Sequence, residues 1–240
     1  MNFKRLISVA LLGLVLAVPV VSCTTYNVAI TKASDEDARD LYLNIALPTV
    51  KVMTEFGSGS GVVFGSGKYV LTAAHVVGHN EMRLDNQGLP HDEFVPEPAS
   101  VFKNEGLVPF VTGTELIKVN VDLDLAVLKL ARTYPYGSAS FAIQDPELFE
   151  KCWVSGHPHG VTDPMITEGR VQDLWDSGFI IYSAATTFGN SGGPVWRKEG
   201  KTWKVSSVVQ RVYAESGVAV NHMGLGALPS KVREFVQEYL

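Results

Sequence analysis

The first hydrophobic pattern along the chain is continuous. Lys4 and Arg5 precede an apolar run over 6–18, which Pro19 breaks. A basic start, an apolar stretch and a break form the layout of a secretory signal. The run falls short of the ~20 residues that a membrane span needs. Residues 1–22 are therefore expected to be a targeting segment outside the fold. The next pattern is helical. Ser34, Asp35, Glu36 and Asp37 have the shape of a capping box, and Ala38, Leu41, Tyr42 and Ile45 follow at helical spacing until Pro48.

From Val50 the pattern changes to short β-rich runs broken by glycine. Candidate strands are 50–55, 61–64, 69–72, 99–103, 110–111, 115–119 and 125–130, with the proline- and acid-rich stretch 81–98 expected to be a surface loop. Residues 133–137 read as a linker. Further runs follow at 151–156, 165–174, 179–184, 194–197 and 202–213, with a hairpin turn expected at 198–201. Val232, Phe235, Val236 and Tyr239 lie at i, i+3, i+4 and i+7, which predicts an amphipathic terminal helix over 229–240 with Ser230 as its N-cap. Many short strands with turn signals between them predict an all-β sandwich or barrel.

Composition narrows this picture. With 240 residues, 46% of them hydrophobic, the chain can bury a core without a metal or disulfide staple. A net charge of -5 and no basic tract leave no electrostatic footprint for nucleic acid. The two cysteines, Cys23 and Cys152, form no CxxC pair and no zinc spacing, so neither a metal nor a cofactor is implied.

Three segments carry candidate chemistry: Leu-Thr-Ala-Ala-His-Val-Val around His75, Asp-Leu-Ala-Val-Leu-Lys from Asp124, and Gly-Asn-Ser-Gly-Gly-Pro around Ser191. Attack on a peptide carbonyl needs a nucleophile that is weak at its free pKa, and a serine hydroxyl needs an adjacent base; histidine suits neutral pH. The histidine in turn needs a carboxylate to fix its tautomer. Backbone N–H groups must face the developing oxyanion, and Gly189 and Ser191 are the expected donors. Asp124 is preferred to Asp122 because it opens the apolar run. His79, His91 and His222 show no partner pattern and read as surface or loop residues. His157 and His159 with Asp163 are set aside as a metal site. The Gly-x-Ser-x-Gly reading of 189–193 as an α/β-hydrolase elbow fails, because Pro194 and Val195 open a strand and no Asp follows Ser191.

Together the three segments resemble the trypsin-like serine peptidases, and the HtrA (Deg) branch most closely. The glycine-rich stretch 57–63, the Gly-x-Pro-x-Gly turn at 156–160 and the lead into the last helix at 224–230 resemble that branch as well. The resemblance implies two packed antiparallel six-stranded β-barrels with a short N-terminal helix and a C-terminal helix. His75 and Asp124 would come from a first barrel over 46–135, and Ser191 from a second over 136–240. It implies a serine endopeptidase acting on protein or peptide substrates, with His75 as general base then acid, Asp124 orienting it and Ser191 as nucleophile. Ala185, six positions before the serine, would floor the specificity pocket; being uncharged, it implies small or aliphatic side chains. Asn190 stands where digestive trypsins carry an Asp, which implies activity without zymogen cleavage. The sequence ends one helix past the last strand, so no PDZ domain is expected. Val20-Val21-Ser22-Cys23 resembles a bacterial lipobox. That implies lipid on Cys23, a lipid-anchor tether and short helix over 23–45, and an extracytoplasmic, membrane-anchored protein, facing the periplasm from the outer membrane in a two-membrane bacterium. The alternative is a catalytically silent binding or chaperone-like lipoprotein of the same fold.

Overall fold

Acidic residues in the first turn favour the start of α1 (Glu36–Leu41), which widens into a single π-type turn, Tyr42–Ala46, before Pro48 stops it. The computed structural model describes residues 36–103, 107–216 and 218–240. The signal-like segment, Cys23 and Ser34 lie outside the described residues. Ile45 is fully buried in one core cluster with Phe64, Leu125, Trp196, Trp203 and Phe235, so this short helical entry joins a core shared by both halves of the chain.

The first half contains β1 (Thr49–Met53), β2 (Ser58–Phe64), β3 (Tyr69–Thr72), β4 (Gly78–Leu84), β5 (Pro90–Pro96), β6 (Ser100–Phe102), β7 (Glu115–Asn120) and β8 (Leu125–Lys129). Six of these form an antiparallel sheet in the order β6-β1-β2-β3-β8-β7, a half-barrel whose edges are β6 and β7. The second half contains β9 (Lys151–Gly156), β10 (Met165–Trp175), β11 (Phe179–Tyr182), β12 (Pro194–Glu199), β13 (Thr202–Glu215) and β14 (Val218–Ala227), which close into a six-stranded barrel. The expected two-barrel, all-β architecture is present, with full closure in the second half. The terminal helix α2 (Pro229–Val236) buries Val232, Phe235 and Val236 in the cluster that also holds Ile45.

Three local expectations need correction. The stretch 81–98 is a hairpin, β4 paired with β5, and not a loop. Its side chains are almost all solvated, so it lacks the apolar alternation that marks a half-buried strand; the backbone ladder and an Asp85 side chain accepting the Gln87 and Leu89 amides hold it. Residues 110–111 form no strand, only a single bridge from Val111 to Val101. Ser230 lies inside α2, whose N-cap is Leu228 with Pro229 in the first turn; the Asp145 carboxylate accepts both the Ser230 amide and hydroxyl. An acid on a distant loop thus does the capping.

A buried polar chain crosses the junction of the two halves. Trp196 Nε1 donates to Ser155 Oγ (2.8 Å), which lies 2.6 Å from Thr49 Oγ1, which donates to the Ile45 carbonyl (2.7 Å). With the Thr49 proton committed to Ile45, Ser155 must donate to Thr49. Removing the central hydroxyl strands a buried indole N–H. Ser155→Ala is therefore expected to cost ~1–3 kcal/mol in urea unfolding. A change under about 0.5 kcal/mol, the range of ordinary surface substitutions, would contradict this account of the junction.

Candidate active site

His75 occupies a 3₁₀ turn, Ala74–Val76, just past β3. Ala73, Ala74, Val76 and Val77 are buried, which leaves the imidazole as the exposed side chain of the segment. Its Nδ1 lies 2.7 Å from Asp124 Oδ2, and its backbone N–H donates to Asp124 Oδ1 at 3.0 Å. A carboxylate accepts only, so Nδ1 carries the ring proton and Nε2 keeps its lone pair. Asp124 is buried and Asp122 is exposed.

Asp124 closes a turn with φ +47°, a left-handed conformation that costs energy for any residue but glycine. The turn is held from several sides. The Asp124 amide donates to Val121 O (3.1 Å), Asn120 Oδ1 accepts the Leu123 amide (2.9 Å), and Gln210 Nε2 donates to Leu123 O. Gln210 is buried on β13, so the second half braces the acid of the first.

Ser191 lies in the tight turn before β12. Every carbonyl over 188–191 is tied elsewhere. Phe188 O accepts from the His159 amide (2.8 Å), Gly189 O from Ser60 Oγ (2.7 Å), Asn190 O from the Gly193 amide (2.8 Å) and Ser191 O from the Ser60 amide (2.7 Å). A trans peptide points its N–H opposite its C=O. The Gly189 and Ser191 amides therefore face away from those partners, and among the described residues neither donates a hydrogen bond. Gly189 has φ +93°, and a Cβ there would lie 2.6 Å from His157 O and His159 N; only glycine fits. Gly192 has φ +81°, with Thr72 Oγ1 at 2.1 Å from the same imagined atom.

Ser191, Gly189 and His75 line one cavity of about 750 Å³. His75 and Asp124 line a second of about 340 Å³ with Gln210 and Arg211. No hydrogen bond joins Ser191 to His75 among the described residues. Ala185 is exposed and lies outside both cavities; its carbonyl accepts from Thr167 Oγ1 at 2.8 Å.

His79, which has no partner pattern in sequence, is exposed as expected but bridges Glu97 (3.0 Å) and Glu81 (3.1 Å) and lines both cavities. Hydrogen bonding to Glu81 and then Glu97 raises its pKa. Cys152 is buried, which pushes its thiol up to about 12. Ser60 and Gln210 are supporting residues that sequence reasoning passes over, and His157 is weighed there only as a metal ligand and part of a turn. Their signal is burial of a polar side chain, which no local pattern displays.

A half-barrel joined to a closed barrel, with the His75, Asp124 and Ser191 segments meeting beside shared cavities, defines the class of two-barrel, trypsin-like folds. The chain matches the model of the trypsin-like peptidase domain over residues 59–202, more than half its length, and belongs to that family, which makes it a serine endopeptidase by class. Solved structures share the fold. The Rv3671c protease from M. tuberculosis in its active form aligns at 20% identity over 81% of this chain and 82% of its own, with a TM-score of 0.62. AlgW, an HtrA-type protease solved with a tripeptide, aligns at 22% identity over 83% of this chain and 62% of its own, also at 0.62. The serine endoprotease from Yersinia pestis aligns at 19% identity over 83% of this chain and 65% of its own, at 0.57. The chain thus spans less than two thirds of the latter two. No curated protein matches it.

His157 anchors the turn under Gly189. It is fully buried, its Nδ1 lies 3.0 Å from Val161 O, and its Nε2 has no partner among the described residues. Burial depresses its pKa from 6.5 to about 4. Between those values the unfolded chain binds a proton that the folded chain refuses. The stability present above pH 6.5 therefore falls as pH drops through this window, by on the order of 3 kcal/mol in full. His157→Asn keeps a donor for Val161 but cannot titrate. Urea unfolding between pH 7 and pH 4.5 should lose this part of the acid slope in the variant; an unchanged slope would contradict the assignment.

Proposed function

We propose that this chain hydrolyses peptide bonds through an acyl-enzyme, with His75, Asp124 and Ser191 as its catalytic residues. His75 Nε2 takes the Ser191 proton as Oγ attacks the carbonyl. Asp124 holds the imidazole in the required tautomer and stabilises the imidazolium. The oxyanion is received by the Gly189 and Ser191 amides, and His75 then returns the proton to the leaving amine. Water repeats the cycle to release the acid. The observation that carries this reading is the pairing of Asp124 with both the ring and the backbone of His75, across a cavity from two free amides beside a serine.

Finer features belong to the same proposal. The two units are 46–135 and 136–240, preceded by the signal 1–22 and by 23–45, a lipid-anchor tether and short helix. The lipobox-like run ending at Cys23 supports export and lipid anchoring on the outer face of a bacterial inner membrane or the periplasmic face of an outer one; Thr24, not Asp, favours the latter. Two or more acyl chains make such an anchor stable. An uncharged Ala185 supports a pocket for small or aliphatic side chains.

A fluorophosphonate tests the central step, since Ser191 Oγ forms the phosphorus bond as fluoride leaves. Intact-mass analysis should find one adduct, mapped to Ser191 and absent from Ser191→Ala. Asp124→Asn should lower kcat by about 10⁴ through the wrong tautomer. Folded protein that takes no label would support the catalytically silent alternative. Ala185→Asp should shift cleavage of a peptide library towards Lys and Arg; an unchanged profile would remove Ala185 from the pocket.

A further inference from the structure

The loop over 188–191 belongs to the second half, yet two of its four carbonyls are held by one residue of the first. Ser60 on β2 is fully buried. Its amide donates to Ser191 O (2.7 Å) and its hydroxyl donates to Gly189 O (2.7 Å). The same hydroxyl accepts the His157 amide (2.8 Å), and the Ser60 carbonyl accepts from Thr72 Oγ1 (2.7 Å). The single hydroxyl proton is committed to Gly189, so both roles of the oxygen are fixed. Glycines flank Ser60 for a steric reason: a Cβ at Gly59 would lie 2.8 Å from Ser191 O, and one at Gly61 would lie 2.6 Å from Val70 Cγ1. At Gly59 the strand leaves no room for a side chain against the serine turn, and Ser60 keeps one hydroxyl at the point of contact.

That hydroxyl sits where restraint is most needed. Gly189 has the widest backbone freedom of any residue type. The peptide after it is fixed by Ser60 at its carbonyl and by Thr187 O, which accepts the Asn190 amide (3.1 Å). The peptide before it is fixed by the His159 amide, which belongs to the turn that Ser60 grips through His157. We infer that Ser60 is a positioning residue that fixes the direction of the Gly189 amide through the Gly189 carbonyl and the 157–160 turn. This inference rests on the proposed roles of Gly189 and Ser191. Ser60 touches no reacting atom; it acts on charge that develops only in the transition state, so its loss moves kcat and not ground-state binding.

The test compares Ser60→Ala and the near-isosteric Ser60→Cys with the parent, each checked by circular dichroism and thermal unfolding. Three readouts are taken: kcat and KM on a peptide cleaved by the parent, affinity for an aldehyde of the acyl-side peptide, which forms a tetrahedral adduct, and affinity for the matching peptide acid. Ser60→Ala is expected to lower kcat by about 10–100-fold, part of the loss seen when an oxyanion donor is removed. KM and the peptide acid should stay within about twofold, while aldehyde affinity falls in step with kcat. Ser60→Cys, a weaker donor, should fall between, and it serves as the reporter should the alanine variant fail to fold. Equal loss for aldehyde and acid, or unchanged kcat in a folded variant, would overturn the inference while leaving the Ser191 reading intact. A parent whose Ser191 takes no fluorophosphonate would overturn both.

Discussion

Two amides can cradle a developing negative oxygen only if the carbonyls of the same peptides are held facing the other way. In a glycine-rich turn nothing local enforces this, because each peptide plane rotates cheaply. The structure solves the problem by giving all four carbonyls over 188–191 partners drawn from β2, from the 157–160 turn and from the turn itself. If these amides receive the oxyanion as proposed, the polar cleft is ready before any substrate arrives and no reorganisation is left for the moment of reaction. On the proposed reading, that readiness is what the rest of the molecule maintains.

The His75–Asp124 pair is supported by the same exchange between halves in the opposite direction. β2 of the first half reaches over to the serine turn, while Gln210 of the second half reaches back to the turn that carries Asp124. The left-handed Asp124 is a local cost, sustained by the bonds around it. Beneath both, the core around Ile45, Trp196 and Trp203 and the polar chain through Ser155 keep the halves in register. A shift between them would displace the imidazole from the serine and the carbonyl anchors from the loop together.

Much of the architecture and the candidate residues could be read from sequence, because their chemistry is written locally. His75 stands out as a polar residue between apolar pairs, and Ser191 sits among glycines that its turn requires sterically. What escaped reading was mostly non-local. Ser60 and Gly189 are 129 positions apart, and Ser230 and Asp145 are 85 apart, so neither bond leaves a trace in spacing. The β4–β5 hairpin escaped because both its faces are wet. β14 escaped because 224–230 reads only as the lead into the last helix; Gly224 and Gly226 are glycines because the Tyr182 ring and the Ser207 hydroxyl pack where side chains would stand. Cys23 and the signal lie outside the described residues.

The most direct measurement is a crystal structure of the chain with a phosphonate covalently attached to Ser191. The account predicts a phosphoryl oxygen at about 2.7–3.1 Å from both the Gly189 and Ser191 amides. It also predicts that the carbonyls of Phe188 and Gly189 remain on His159 and Ser60. A phosphoryl oxygen turned to solvent, or a 188–189 peptide that must rotate to meet it, would contradict the claim that the loop is held ready by its outward-facing carbonyls.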